Sequence, residues 1–505
     1  MLLADIVATS AAVAATRSRK EKVALLSERL AAAAPEELPV VTAYLGGALL
    51  QRRTGIGFQG VRSAPSPADS AALSVVEVDA EFTRLSELSG PGSQSARRDG
   101  LAALLSRATA EEQSWLRGAI TGNLRQGASD ALVQEALAQA CDLPLADVRR
   151  AAMLAGGTVP IAVAAVTGGA AALAGIGLQV LRPVLPMLAS SAPDVAAGVE
   201  KAGPGEVSVD VKLDGIRIQV HRDGDEVVVA TRSLDDITDR LPEVVDLVKT
   251  FPSQRFVLDG EALSVAEDGR PRPFQETASR TAQGGAEGWT SSVTPFFFDL
   301  LHLDGRDLLD SPGTERVAAL ESLVPAEHRV PRLVTSSPEE ASAFADAAIR
   351  DGHEGVVIKD PSAPYAAGRR GAAWVKVKPV HTLDLVVLAV EWGSGRRKGW
   401  LSNIHLGARA DDGDGFVMLG KTFKGMTDEM LAWQTERFTE LADGPTDGYV
   451  VQLRPEQVVE IAFDGLQRST RYPGGLALRF ARVLRYRDDK SVDEADTIST
   501  VRALA

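Results

Sequence analysis

VSVDVKLDGIRIQV (207–220) is the stretch on which the fold turns. Apolar and polar residues alternate along it, the period of a strand with one buried face. Asp214-Gly215 turns the chain within it, and Asp223-Gly224 follows as a hairpin signal with EVVVATRS (226–233) as the partner strand. Downstream, RFVLDGEAL (255–263), VTPFFFDLLHL (293–303), GVVIK (355–359) and WVKVKPV (374–380) read as further strands. Helices are expected at 235–250, 314–323 and 337–351. Residues 196–382 therefore form a mixed α+β domain.

Toward the C-terminus the texture shifts again. LDLVVLAVEWG (383–393), SNIHLGARADD (402–412), GFVMLGKTF (415–423), YVVQLRP (449–455) and QVVEIAFDG (457–465) are short strands set off by Gly or Asp turns. With one helix near 427–441, they predict an OB-type β-barrel over 383–505.

Toward the N-terminus, residues 1–195 read as all-helical. Periodic apolar stretches recur at 20–32, 70–88, 94–107, 109–121, 129–141 and 145–154. Ser129 and Asp147 mark helix starts, and VRSAPSPAD (61–69) is a linker. Residues 2–15 resemble a signal peptide only faintly: Asp5 interrupts the apolar run and no basic residue precedes it. An amphipathic first helix is expected there. No charge lies between Arg150 and Arg182, but seven glycines and prolines break the stretch. It is read as buried, tightly packed helices joined by glycine turns, not as a membrane span.

A chain of 505 residues fits three domains at roughly 150 each. With 45% hydrophobic and 24% charged residues it is an ordinary globular composition. The lone Cys141 excludes disulfides within the chain and a four-cysteine zinc site, and suits a reducing, cytoplasmic setting. A net charge of −14 argues by itself against a nucleic-acid partner. Local patches decide that question, however. From Arg468 to Lys490 seven basic residues face two acidic ones, and Arg396, Arg397 and Lys398 form another basic turn.

Lys212 is the chemical centre. It shares a strand face with Asp210, and its place between valine and leucine predicts partial burial. Burial disfavours an ammonium and leaves a nucleophilic amine. Standing alone, it reads as a surface-strand lysine. It is followed in order by Arg217, Arg232-Ser233, Asp259-Gly260-Glu261, Phe298-Asp299, Glu354-Gly355, Lys376-Val377-Lys378 and RYRDDK (485–490). The set resembles that of the covalent nucleotidyltransferases, and the resemblance implies an amine attacking the α-phosphate of a nucleotide, which needs fixed cations around an in-line, charged transition state and hard oxygen ligands for Mg2+. Arg217, Arg232, Lys376 and Lys378 can supply the first, and Glu261 and Glu354 the second. Taken singly, Phe298 reads as strand core, and Lys376 and Lys378 as one solvated face.

This order and spacing resemble the covalent nucleotidyltransferases: ATP-dependent DNA ligases, RNA ligases and mRNA capping enzymes. The resemblance implies that Lys212 carries AMP and that Phe298 stacks on adenine. It implies that Glu261 holds the ribose, instead of or besides the metal, and that Asp210 belongs to the nucleotide site. Of Arg369 and Arg370, the second stands six residues before Lys376 and fits the ligase pattern better. Arg487 and Lys490, with Arg485, would orient pyrophosphate, on a C-terminal domain that swings in for this step. Two departures concern adenine recognition: Leu213 stands where DNA ligases usually have tyrosine, and Asp210 where many have glutamate.

LRPVLPMLASSA (181–192) resembles the linker of archaeal and bacterial ligases with a helical DNA-binding domain. GNLRQGASDALVQEALAQA (122–140) resembles their minor-groove helix-loop-helix, with Gly122, Arg125 and Gly127 near phosphates. Within the family the likeness is to the ligase B group of actinobacteria. It implies a monomer that uses ATP and Mg2+, clamps nicked duplex DNA and has no membrane role. The rivals explain less. Capping enzymes lack the helical front and the RxDK ending, and NAD-dependent ligases need zinc-finger cysteines. A non-catalytic OB-fold binder leaves Lys212, Glu261, Glu354 and Lys376 unexplained.

Overall fold

The computed structural model describes all residues except 62–64, 125, 267–269, 273, 283–292, 367–369, 414 and 505, and only the backbone at 58, 59, 279–282, 370 and 396. The chain forms two compact units. The first comprises Met1–Ser190, Ala202–Ser336 and Lys359–Val375; the second comprises Ser191–Lys201, Ser337–Ile358 and Lys376–Ala505. The strands Gly355–Lys359 and Arg370–Val377 are each divided between these sets.

The first unit opens with helices, and every periodic stretch becomes one. Leu3–Ala15 is the expected first helix. The 70–88 stretch starts only at Val75, because Ser74 and Glu77 form a reciprocal capping box there. Ser129 occupies the N-cap position of Asp130–Ala140 without a side-chain cap bond. Asp147 lies in the first turn of Leu145–Ala155, behind a Pro144 cap. Leu3, Ile6, Tyr44 and Phe82 are fully buried in the core of this region.

The charge-free stretch holds two helices, Leu145–Ala155 and Ala162–Ala174, bent by 113°. Its expected tight burial is corrected for the second helix, where only Ala162, Ala165 and Leu173 are buried and Val166 is 39% exposed. Alanine and glycine present little apolar area, so leaving them in water costs little. Among the described residues no single helix is long and apolar enough to cross a membrane.

The 207–220 stretch becomes two strands in two sheets. Val207–Lys212 pairs antiparallel with Arg332–Thr335, which places Asp210 opposite Arg332. After the break at 213–215, Ile216–Asp223 joins an antiparallel sheet in the order Glu226–Thr231, Ile216–Asp223, Arg255–Ser264, Val293–Leu303, Arg306–Asp307. Gly215 permits the crossing, since a Cβ there would lie 2.5 Å from the Ala262 carbonyl oxygen. The helix expected at 235–250 shortens to Pro242–Lys249. Pro242 lacks an N–H and its ring clashes with a preceding turn, so it starts the helix.

The 181–187 linker is strapped to this sheet. Val184 N–H donates to Gln219 Oε1 at 2.7 Å, and Leu181 N–H to His221 Nδ1 at 3.2 Å. The helical region docks on the same unit. Arg150 makes two 2.7 Å bonds to Asp310, Leu185 N–H donates to Met153 O at 3.0 Å, and Arg52 reaches Asp235 at 2.5 Å.

In the second unit the sheet order is Phe416–Thr422, Leu401–Arg409, His381–Trp392, Val458–Phe463, Arg482–Tyr486, every pairing antiparallel, with Val450–Gln452 also on the long strand. Leu385, Leu406, Phe438 and Phe463 fill its core, and Asp428–Glu440 is the expected helix. A hairpin, Gly465–Arg468 with Leu476–Arg479, and the strand Arg482–Tyr486 were not anticipated. Their arginines hide the apolar alternation. No closed barrel is present among the described residues.

Candidate active site

Lys212 ends its strand half-buried, as its neighbours predicted. Two positions earlier, Asp210 is 2% exposed. Its carboxylate meets Arg332 Nε at 2.5 Å and Nη2 at 2.7 Å, and Lys359 Nζ at 2.5 Å. Burial pushes this carboxyl up, but Lys359 and Arg332 outweigh it and hold the group below the usual carboxylate range. One carboxylate serves two buried cations, so removing Asp210 would leave Arg332 and Lys359 without their counter-charge, and the cluster fixes the strand that carries Lys212.

Beside it lies an aromatic pair. The Phe298 and Trp374 rings meet edge to face at 5.9 Å. Lys359 Nζ stands 4.8 Å from the Phe298 centroid and 4.3 Å from that of Trp374, and Arg217 Cζ stands at 5.3 and 5.7 Å. Such cations favour the electron-rich ring faces.

Arg217 does not stand open. Nε and Nη2 donate to Asp259 at 3.0 and 2.6 Å, and Nη1 to Met187 O at 2.8 Å. The Tyr365 hydroxyl donates to Asp259 at 2.6 Å and accepts from Met187 N–H at 2.9 Å. Glu261 lies opposite Arg217 in strand register, half-buried. Arg232 is exposed on the turn after Glu226–Thr231. An open cavity of about 630 Å³ beside that turn is lined by Arg52, Arg53 and Arg240, with Ser233 and two aspartates, but not by Arg232.

The first unit therefore gathers Lys212, Asp210, Arg217, Glu261 and Phe298 with groups that the sequence reading passed over: Lys359, Trp374, Tyr365, Arg332 and Asp259 as a partner. Lys359 and Trp374 end and open quoted strands, so their motif positions were the available signal. The Arg370 side chain and Arg125 lie outside the described residues.

In the second unit Glu354 is ion-paired with Lys378, which also lies 3.5 Å from Asp464. Lys376 is half-buried, and its carbonyl accepts from Ala192 N–H at 3.1 Å. Gly355 has φ +135° and its absent side chain lets Val377 O pack against it. Arg487 holds Asp489 through two 2.8 Å bonds, Lys490 reaches Asp384 at 2.7 Å, and Arg485 meets Glu460 at 2.6 Å. No group of three or more His, Cys, Asp or Glu among the described residues is arranged to hold a metal.

Three stretches match known families in chain order. Residues 58–138 match the DNA ligase N terminus, 186–378 the ATP dependent DNA ligase domain, and 397–490 the ATP dependent DNA ligase C terminal region. A "Probable DNA ligase" of Nocardioides sp. is 67% identical over 509 residues, covering 100% of this chain and 99% of the relative. "DNA ligase B" of Mycobacterium tuberculosis is 56% identical over 509 residues, covering 100% of both. The solved structure "Pmar-Lig_PreS3" shares the fold at TM-score 0.65 and 20% identity, over 95% of this chain and 99% of its own. The chain belongs to the ATP-dependent DNA ligases. It is an ATP-using enzyme that seals nicked DNA, in a family that works through lysine–AMP, and the RNA ligase, capping enzyme and non-catalytic readings fall away.

Proposed function

We propose that Lys212 is the nucleophile. Its amine attacks the α-phosphorus of ATP, the bond to the β-phosphate oxygen breaks, and pyrophosphate leaves. AMP then passes to the 5′-phosphate at the nick, and the 3′-hydroxyl displaces it. The observation that carries this is the position of Lys212 at the end of a strand locked by the Asp210–Arg332–Lys359 cluster. A fixed backbone is what in-line attack needs.

Phe298 supplies a ring for adenine. Asp210, with its charge already balanced, bounds the nucleotide site from behind, and Arg217 frames the aromatic pair through Asp259. Arg232, Arg370, Lys376, Lys378, Arg487 and Lys490 are the cations assigned to phosphates. Glu261 and Glu354 are hard oxygen donors that suit Mg2+, and Glu261 also suits a ribose. Either carboxylate, without a full protein cage, suits an ion whose other ligands are ATP phosphates and water. Bound there, Mg2+ would neutralise phosphate charge.

The working domains are 1–195, which holds duplex DNA, 196–382, which forms lysine–AMP, and 383–505. For the last, an OB fold is supported by the approach of the two sheet edges: Val483 N–H donates to Lys424 O at 2.9 Å and the Thr422 hydroxyl to Ala481 O at 2.5 Å. The enzyme acts as a cytoplasmic monomer.

The test is labelling with α-labelled ATP followed by denaturation. Wild type retains label and Lys212→Ala retains none; label persisting on the variant would reassign the nucleophile.

A further inference from the structure

Asp384 carries a contact that the reaction scheme does not use. It lies near the start of His381–Trp392. Its backbone is fastened independently of its side chain: its N–H donates to Asp496 Oδ2 at 2.8 Å and its carbonyl accepts from Asp496 N–H at 2.8 Å. The carboxylate accepts from Arg487 Nη1 at 3.1 and 3.2 Å and from Lys490 Nζ at 2.7 Å. The other edge of Arg487 is occupied by Asp489. The side chains of Asp384 and Arg487 are each 13% exposed, so water screens this pairing only in part.

One carboxylate thus holds both cations assigned to the β- and γ-phosphates. Carboxylate and phosphate oxygens are equivalent acceptors for an arginine edge or an ammonium, and one N–H bond cannot serve both fully. Triphosphate binding at these groups is then an exchange, and the bonds given up subtract from its affinity. We propose that Asp384 sets the affinity for ATP in the first step by holding Arg487 and Lys490 on an internal carboxylate that the polyphosphate must displace. The inference rests on the reading of RYRDDK as the segment that orients pyrophosphate.

The test measures lysine–AMP formation by the full chain at varied ATP and fixed Mg2+. Asp384→Asn keeps the shape and removes the charge; its KM for ATP should fall about fivefold, the scale of a partly screened ion pair. Asp384→Glu keeps the charge and should stay within about twofold of wild type on the same reasoning. Asp384→Ala leaves the backbone bonds to Asp496 in place and should shift KM downward as well. A variant that is merely damaged loses activity or raises KM, so a lowered KM separates release from misfolding. If both Asn and Ala variants leave KM unchanged or raise it while Lys490→Ala is impaired, the proposal for Asp384 is overturned and the reading of RYRDDK stands. If Lys490→Ala forms lysine–AMP like wild type, that reading fails and takes the proposal with it.

Discussion

His221 shows how one residue ties sequence to pH dependence. It is fully buried, with Nδ1 accepting from Leu181 N–H and Nε2 at 2.9 Å from Gln219 Oε1. Burial, with His302 nearby, pushes the imidazole down to about 3. The unfolded chain takes up a proton near 6.5 and the folded chain does not. The stability this group contributes is therefore complete above pH 6.5 and drains away as pH falls toward 3. By pH 5 the loss amounts to about 2 kcal/mol at 1.36 kcal/mol per unit. The unfolding free energy of wild type relative to His221→Gln should shrink by about that amount between pH 7.5 and 5. A difference that does not change with pH would show that the histidine titrates alike in both states. His221 directly follows the quoted 207–220 stretch, yet alternation marks only a buried face. It says nothing of a linker forty residues away in chain that donates to the ring. Asp210 teaches the same: its face was readable, but its partners Arg332 and Lys359 come from strands that no local pattern joins to it.

At the scale of elements, strands and helices were legible wherever a period met a punctuating residue. Gly215 was read as a turn, whereas Ser74 with Glu77 and Pro242 set helix starts inside the stretches read as 70–88 and 235–250. The Gly465–Arg468 hairpin and the Arg482–Tyr486 strand were overlooked because arginine on an exposed strand face looks like a DNA patch in one dimension. What links that strand to the opposite edge is Gly425. Its φ is +83°, and a Cβ there would run into the backbone of Val483, which cannot swing aside. Gly399 has φ +87° but faces open space. Alanine at Gly399 pays only for the left-handed backbone, about 1 kcal/mol. Alanine at Gly425 pays for that and for prising the edges apart, about 2 kcal/mol more. Thermal melts should show Gly425→Ala far below Gly399→Ala; equal losses would mean that the contact between the edges yields freely.

For the whole molecule, composition misleads on the partner while the motif order does not. A chain with net charge −14 serves a polyanionic substrate. The long-range field repels DNA, so binding must come from cations placed at short range, where contact outweighs a screened net charge. Several cations are already paired inside the protein: Arg52 with Asp235, Arg485 with Glu460, and Arg487 with Asp489. Two opposed salt effects follow. Added salt screens the overall repulsion, which favours binding, and it weakens the release of counterions at each neutralised phosphate, which opposes binding. The second grows with every contact. With only four phosphates neutralised, affinity for a nicked duplex should drop about a hundredfold between 50 and 200 mM salt. A binding titration at several salt concentrations measures the slope directly, and lysine–AMP formation in the same buffers reports whether the nucleotide site is affected. A steep slope with near-constant adduct formation assigns the loss to DNA contacts. Affinity that holds steady or rises with salt would mean that the net field governs encounter, and the basic patches would then have to be given another role.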